Sequence, residues 1–166
     1  EQYITMLEHE MAVIWSPRSN LELYSRTTPV HIARNLGVEV VVSPDWTASG
    51  SMNLLDELSC AARLDDGYLG DVFTPEELFL SVTEGAAAAT GFGDVLGTLE
   101  VGRVADIAVY AGDRGHPFEA LMDMPTEHTR ATFIGGALVF GDTGFVDPVE
   151  PDHCEALDVC GVDKTV

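Results

Sequence analysis

Basic residues are scarce in this chain of 166 residues. Eight Lys and Arg stand against 28 Asp and Glu, for a formal net charge of −20. Neutralising a phosphate backbone takes clustered Lys and Arg, so nucleic acid is not an expected partner. The same shortage argues against docking on an anionic membrane surface. Long apolar runs are missing as well, and none approaches the roughly 20 residues of a membrane span. Cysteine is rare: Cys60, Cys154 and Cys160 are too few for a disulfide framework, and an odd count leaves at least one thiol unpaired within the chain. A reducing, cytoplasmic setting is the simpler expectation. Glu1-Gln2-Tyr3 has neither the basic start nor the apolar stretch of a secretory signal. There is no initiator Met, and Ile4-Thr5-Met6-Leu7-Glu8 reads as the tail of a helix, so the beginning of the protein is expected to lie upstream.

Lysine is nearly absent: Lys164 is alone against seven arginines. Excess carboxylate with so little lysine suits life in concentrated salt, where screening weakens self-repulsion, or a merely acidic protein. Melting temperature measured against salt concentration separates the two, because a salt-independent value removes the first. What the chain does have is apolar content for a core. Hydrophobic residues make up 46% and mean hydropathy is +0.12, which excludes a disordered acidic tail. The length allows one ordinary domain or two small ones.

The first half alternates strand and helix signals. Met11-Ala12-Val13-Ile14-Trp15 is an apolar run stopped by Ser16-Pro17, as in a strand covered on both faces. Arg18-Ser19-Asn20 reads as a polar loop. A helix is expected from Pro29 to Leu36, then a second strand through Val38, Val40, Val41 and Val42, ended by Ser43-Pro44-Asp45-Trp46. The crossover is long enough for parallel strands. Leu54, Leu55, Leu58, Ala61 and Ala62 mark one face of a helix. Thr74, Pro75 and Glu77 have the spacing of a capping box, opening a helix that reads on to about Gly91. Asp56-Glu57 and the acids at Asp65, Asp66 and Asp71 read as solvated surface.

Beyond Gly91, glycines punctuate short β-rich pieces. Residues 104–110, 131–134 and 137–140 read as strands, the last two joined at Gly135-Gly136. A boundary near residue 95 separates an α/β part, residues 1–94, from a β-rich part, residues 95–166.

Several phrases together resemble one family. Trp15-Ser16-Pro17-Arg18-Ser19-Asn20-Leu21 contains a Pro-x-Ser-Asn turn after a strand. Ser43-Pro44-Asp45-Trp46 stands where a Gly-Thr-Asp strand end would be, and Ser49 to Leu58 follows as a helix. Leu96-Gly97-Thr98-Leu99-Glu100-Val101-Gly102-Arg103-Val104-Ala105-Asp106 matches a Leu-Gly-x-Leu/Ile-Glu-x-Gly-Lys/Arg-x-Ala-Asp signature. Gly135-Gly136 to Gly141-Asp142 matches a later hairpin. The ordered set resembles the C-terminal portion of the metal-dependent amidohydrolase superfamily, in its cytosine-deaminase, chlorohydrolase and imidazolonepropionase-like branch. The resemblance implies an α/β fold: the last two βα units of a TIM-type (β/α)8 barrel, plus C-terminal strands of a small composite β-sandwich. It also implies hydrolysis of a non-peptide C–N bond in a small-molecule substrate, whether amide, cyclic amide or amidine, by metal-activated water.

Within that resemblance, Asp45 is the implied metal ligand and catalytic proton shuttle, at the end of a barrel-type strand where such folds hold reacting groups. A carboxylate alone cannot deprotonate water. The gap between pKa values of about 3.9 and 15.7 corresponds to ~16 kcal/mol. A bound divalent cation lowers the water to about 7 and leaves ~4 kcal/mol. A divalent metal, zinc first, is therefore the expected cofactor, with most of its ligands elsewhere because the chain has no His-x-His pair. Without the resemblance Asp45 reads as a turn aspartate.

Ser16, Ser19 and Asn20 are candidates for substrate contact, against the local reading in which they satisfy turn backbone. Trp46 is a candidate pocket wall or a core residue. His9, His31, His116, His128 and His153 are scattered and read as surface or packing residues. His153-Cys154 with Cys160 offers three soft donors but lacks the close pairing of zinc sites. This portion alone is expected to be inactive. Its open edges call for a partner: the missing N-terminal barrel, or another copy of the chain in a homo-oligomer. The alternative reading is a non-catalytic remnant or interaction module of the same fold.

Overall fold

The computed structural model describes residues 1–146 and 155–166. After a short helix α1 (Gln2–Glu8), strands β1 (Val13–Trp15) and β2 (Val40–Val42) pair in parallel, with Trp15 opposite Val42. Both strands are short because Pro17 and Pro44 lie just beyond their ends. All three valines of β2 are buried. The crossover carries α2 (Pro17–Tyr24) and α3 (Val30–Asn35). The expected loop at Arg18–Asn20 is thus the first turn of α2. Pro17 stands in that turn, where its fixed φ suits the helix and its missing N–H costs nothing.

The core sits between this strand pair and the following helices. Trp15 and Val30 are fully buried and pack with Val42, Leu58, Phe73 and Leu78. Trp15 stacks on Phe73 with ring centroids 6.0 Å apart, and its indole N–H donates to Thr27 Oγ1 at 2.7 Å. The indole thus brings a large apolar body into the core without leaving its donor unpaired.

Helix α4 (Leu54–Leu64) buries Leu55, Leu58 and Ala61 of the expected apolar face, while Leu54 at its first position is exposed and Ala62 is half-buried. Asn53 caps it by accepting from Asp56 N–H at 3.0 Å. A wider turn follows at Asp65–Leu69. Two expectations of solvated acids are overturned in this region. Glu57 and Asp65 are both buried. The Asp65 carboxylate accepts from Val72 N–H at 3.0 Å and Phe73 N–H at 2.9 Å, so it closes the loop that delivers Phe73 to the core. Burial pushes its pKa up, against the pull of those two bonds.

The capping box at Thr74 and Glu77 is formed. The expected single helix, however, divides into α5 (Pro75–Ser81) and α6 (Glu84–Ala89). Thr83, at φ −121° and ψ −94°, leaves the helical region. Local hydroxyls compete for the carbonyls at this point. Ser81 Oγ donates to Leu78 O at 2.7 Å, and Thr83 Oγ1 donates to Phe79 O at 3.0 Å.

The Glu77 carboxyl is held below its ordinary pKa of 4.5, first by the Thr74 N–H and also by Arg34. Folding therefore expels its proton in mild acid. The stability it adds is complete above pH 4.5 and is lost as pH falls through the lower folded value. A Glu77→Gln variant keeps the box chemistry but not the charge. It should melt below the wild type at pH 7, and the gap should close as pH drops under about 4. A gap independent of pH would contradict this.

The C-terminal part is an antiparallel sheet in the order β3 (Ile107–Tyr110), β4 (Thr129–Ile134), β5 (Ala137–Asp142), β7 (Val162–Thr165), β6 (Ala156–Val159). Two short helices, α7 (Pro117–Met122) and α8 (Thr143–Val146), lie between its strands in sequence. Gly135 and Gly136 take φ +58° and +85° in the β4–β5 turn, a geometry that favours glycine. Strand β3 starts later than its apolar run. Before it, Ala105 O accepts from Gly136 N–H at 2.9 Å and Asp106 Oδ1 accepts from Gly135 N–H at 2.7 Å, bracing that turn. The single lysine, Lys164, is fully buried in β7. No helix among the described residues is long and apolar enough to cross a membrane.

Candidate active site

Because β1 and β2 are parallel, their C-terminal ends and the loops after them open at the same end of the pair. Ser43 N–H donates to Trp15 O at 3.0 Å, extending the pairing by one step. Ser16 Oγ donates to Ser43 O at 2.7 Å, so the candidate serine nearest β1 ties the two strand ends together. The chain then turns at Pro44 and presents Asp45 to solvent. Behind it the loop is tight. Gly50 N–H donates to Trp46 O at 2.7 Å, and a Cβ on Gly50 would lie 3.1 Å from that oxygen.

Ser19, on the first turns of α2, reaches across to this loop. Its hydroxyl donates to Asp45 Oδ2 at 2.9 Å and lies 3.2 Å from Ser49 Oγ. Ser19 is 1% exposed and Ser49 9%. With the Ser19 proton given to Asp45, the Ser49 hydroxyl is the donor in the second contact, the shorter of its two, since Trp46 O also lies within its reach at 3.4 Å. The result is a directed chain from Ser49 through Ser19 to the carboxylate. It holds one oxygen of Asp45 from the protein side and leaves Oδ1 for a ligand or a proton.

The other sequence candidates take different places. Asn20 turns away from Asp45: its Oδ1 accepts from Thr28 N–H at 3.1 Å and Thr28 Oγ1 at 2.8 Å, pinning the loop before α3. Trp46 is 72% exposed, so it is not a core residue of the described chain. His116 pairs with Asp113 on an exposed turn. His153 and Cys154 fall outside the described residues, and Cys160 is exposed. Burial first, and then the nearby Glu57 charge, push the Cys60 thiol up, the opposite of the lowered value an activated thiolate needs.

Four residues around the site escape a reading by composition. Glu57, fully buried, accepts from Arg18 N–H at 3.0 Å and from Ser51 N–H at 3.3 Å. Arg18 Nε donates to Ser51 Oγ at 2.8 Å. Ser49 and Ser51 flank Gly50 in the loop. A signal for Glu57 was present, since Leu54, Glu57, Leu58 and Ala61 are spaced i, i+3, i+4 and i+7 on α4.

Among the described residues no three His, Cys, Asp or Glu side chains come together to hold a metal ion. Asp45 fits one position of such a site: a hard oxygen at a strand end, its second oxygen already oriented.

Comparison with known proteins adds to this geometry. The amidohydrolase family model matches residues 3–139. A 5-methylthioadenosine/S-adenosylhomocysteine deaminase of Desulforudis audaxviator is 35% identical over 109 residues, covering 64% of this chain and 25% of that protein. The enzyme of that description from Halobacterium salinarum is 36% identical over 114 residues, covering 67% and 26%. The chain thus spans about a quarter of the length of these curated relatives. A crystal structure of an adenosine deaminase from Xanthomonas campestris with bound zinc superposes with a TM-score of 0.72 at 23% identity. That match covers 83% of this chain and 34% of the other, and establishes likeness of fold.

Proposed function

The chain belongs to the amidohydrolase family, and from that premise we propose that the intact protein hydrolyses a non-peptide C–N bond, releasing ammonia from an aminated ring. The observation that carries this reading is the Ser49–Ser19–Asp45 array at the shared C-terminal end of two parallel strands. The deaminase relatives support the choice of reaction within the family.

In this reading β1 and β2 begin the last two βα units of the barrel. Residues 1–94 belong to the barrel and residues 95–166 to the composite β part. The parallel pairing of β1 with β2 and the antiparallel sheet that follows are what support the division. Asp45 supplies one ligand of a divalent cation, zinc by analogy with the Xanthomonas neighbour. When bound, that ion brings the pKa of a water near 7. With the cation held, the Asp45 carboxylate would take the proton released by the attacking water and return it to the leaving nitrogen. Ser19 holds Oδ2, so the carboxylate keeps one orientation through both transfers. Ser16 keeps the two strand ends in register beneath it.

The rest of the protein, or another copy of the chain, covers what is open. Among the described residues strand β1 pairs with β2 alone, and Ile14 on β1 is 55% exposed, as are neighbouring apolar side chains of α1 and α2 to a similar degree. Those faces suit burial against further βα units.

The test uses the intact protein. Metal analysis should find zinc bound stoichiometrically, and ammonia should be released from 5-methylthioadenosine, adenosine or another aminated heterocycle. A protein with neither zinc nor turnover across such a panel, and across cyclic amides, refutes the proposal.

A further inference from the structure

We infer that Glu57 is a positioning residue for the Asp45 carboxylate, acting through the main chain of the two segments that carry Ser19 and Ser49. The inference rests on the proposed role of Asp45. Glu57 lies on α4, is fully buried, and spends its two oxygens on two different segments. Oε1 accepts from Arg18 N–H in the first turn of α2, the residue immediately before Ser19. Oε2 accepts from Ser51 N–H, two residues after Ser49. The hydroxyls of Ser19 and Ser49 then meet each other and Asp45. Arg18 adds a second clasp between the same segments through Ser51 Oγ.

The bonding pattern is specific to a carboxylate. Both bonds are accepted from N–H donors, so both oxygens must be acceptors. Gln offers one acceptor and one NH2, and the NH2 would face an N–H whichever way the amide is turned. One segment is therefore released, and its hydroxyl drifts from Asp45. A displacement of about 1 Å at a reacting group can lower turnover ~100-fold. Substrate affinity need not change, because Glu57 itself is closed off from solvent and from any ligand.

The experiment compares Glu57→Gln, Ser19→Ala and the double variant in the intact enzyme, on a substrate the wild type turns over. Glu57→Gln should lower kcat about 10- to 100-fold with KM within about threefold and zinc content unchanged. Added to Ser19→Ala, it should lower kcat little further, because both act through one hydrogen bond to Asp45. A kcat within about twofold of wild type, or effects that multiply in the double variant, overturns the inference. Should Glu57→Gln fail to fold, hydrogen exchange on the wild type decides. The Arg18 and Ser51 amides should be as protected as those of β1 and β2, and exchange at the rate of open loops overturns it. Loss of activity in Asp45→Asn together with normal Glu57→Gln sinks only this inference. Full activity in Asp45→Asn sinks the function beneath it.

Discussion

Asp45→Asn should lower kcat of the intact enzyme about 1000-fold while leaving the fold in place. The substitution is nearly isosteric. Its amide oxygen can still accept the Ser19 hydroxyl that reaches Asp45 Oδ2 at 2.9 Å. What disappears is the ability to take up a proton and to carry a charge. A positioned acid–base group contributes about 10²- to 10⁴-fold, or roughly 3–5 kcal/mol of the barrier. Because the loss falls on the transition state, kcat should fall far more than KM changes. Zinc content should be measured beside turnover, since Asn is also a weaker ligand than a carboxylate. Turnover within about tenfold of wild type, with the metal retained, would show that the reaction's proton travels by another group.

The second large effect concerns stability. Lys164→Met should cost about 3 kcal/mol, felt in the C-terminal sheet. The ammonium group of Lys164 is sealed from water and has three donors, each used. It donates to Glu127 O and Thr129 O, both at 2.7 Å, and to Asp142 Oδ1. Methionine matches the stem in length but supplies no donor. Two carbonyls and one carboxylate oxygen would then lose their donor beneath β7. Breaking a buried ion pair from one side costs roughly 3–5 kcal/mol. The low end applies here, because Arg130 stays on Asp142 Oδ2 at 2.5 Å and the carboxylate keeps a counter-charge. Burial tends to raise the Asp142 pKa, but its bonds from Lys164 and Arg130 bring it below the ordinary value, and in the variant it should move back up. Hydrogen exchange of β5 and β7 amides in the intact protein measures the effect. A change under about 1 kcal/mol would mean that water replaces the ammonium. Arg should not rescue, because its planar fork is too wide for a cage built around a compact ammonium.

Parts of this architecture were plain in the residues. The capping box at Thr74 and Glu77, the Gly135-Gly136 turn, the apolar face of α4 and the βαβ order of the first half all follow from short-range rules. Those rules concern backbone freedom within a few residues, so they survive whatever the rest of the chain does. The misreadings of polar residues share one cause. Arg18–Asn20 looked like a loop because its residues are polar, yet Pro17 starts a helix there. Glu57 and Asp65 looked like surface because they are acids, yet each lies buried on main-chain N–H groups. Composition reports what a side chain prefers in water. It does not report whether donors wait for it inside.

The sequence by itself determined the βαβ order of the first half, the family resemblance and the candidacy of Asp45, since motif spacing along the chain carries all three. Only the tertiary structure decided that Ser19, and not Asn20, meets Asp45, and that Glu57 braces both segments behind it. Those contacts join residues 26 and 39 positions apart. A helix period can say which face of α4 is buried, but not which amide nitrogens the opposing segments bring to that face. That pairing exists only once the strands are aligned and their ends share one rim.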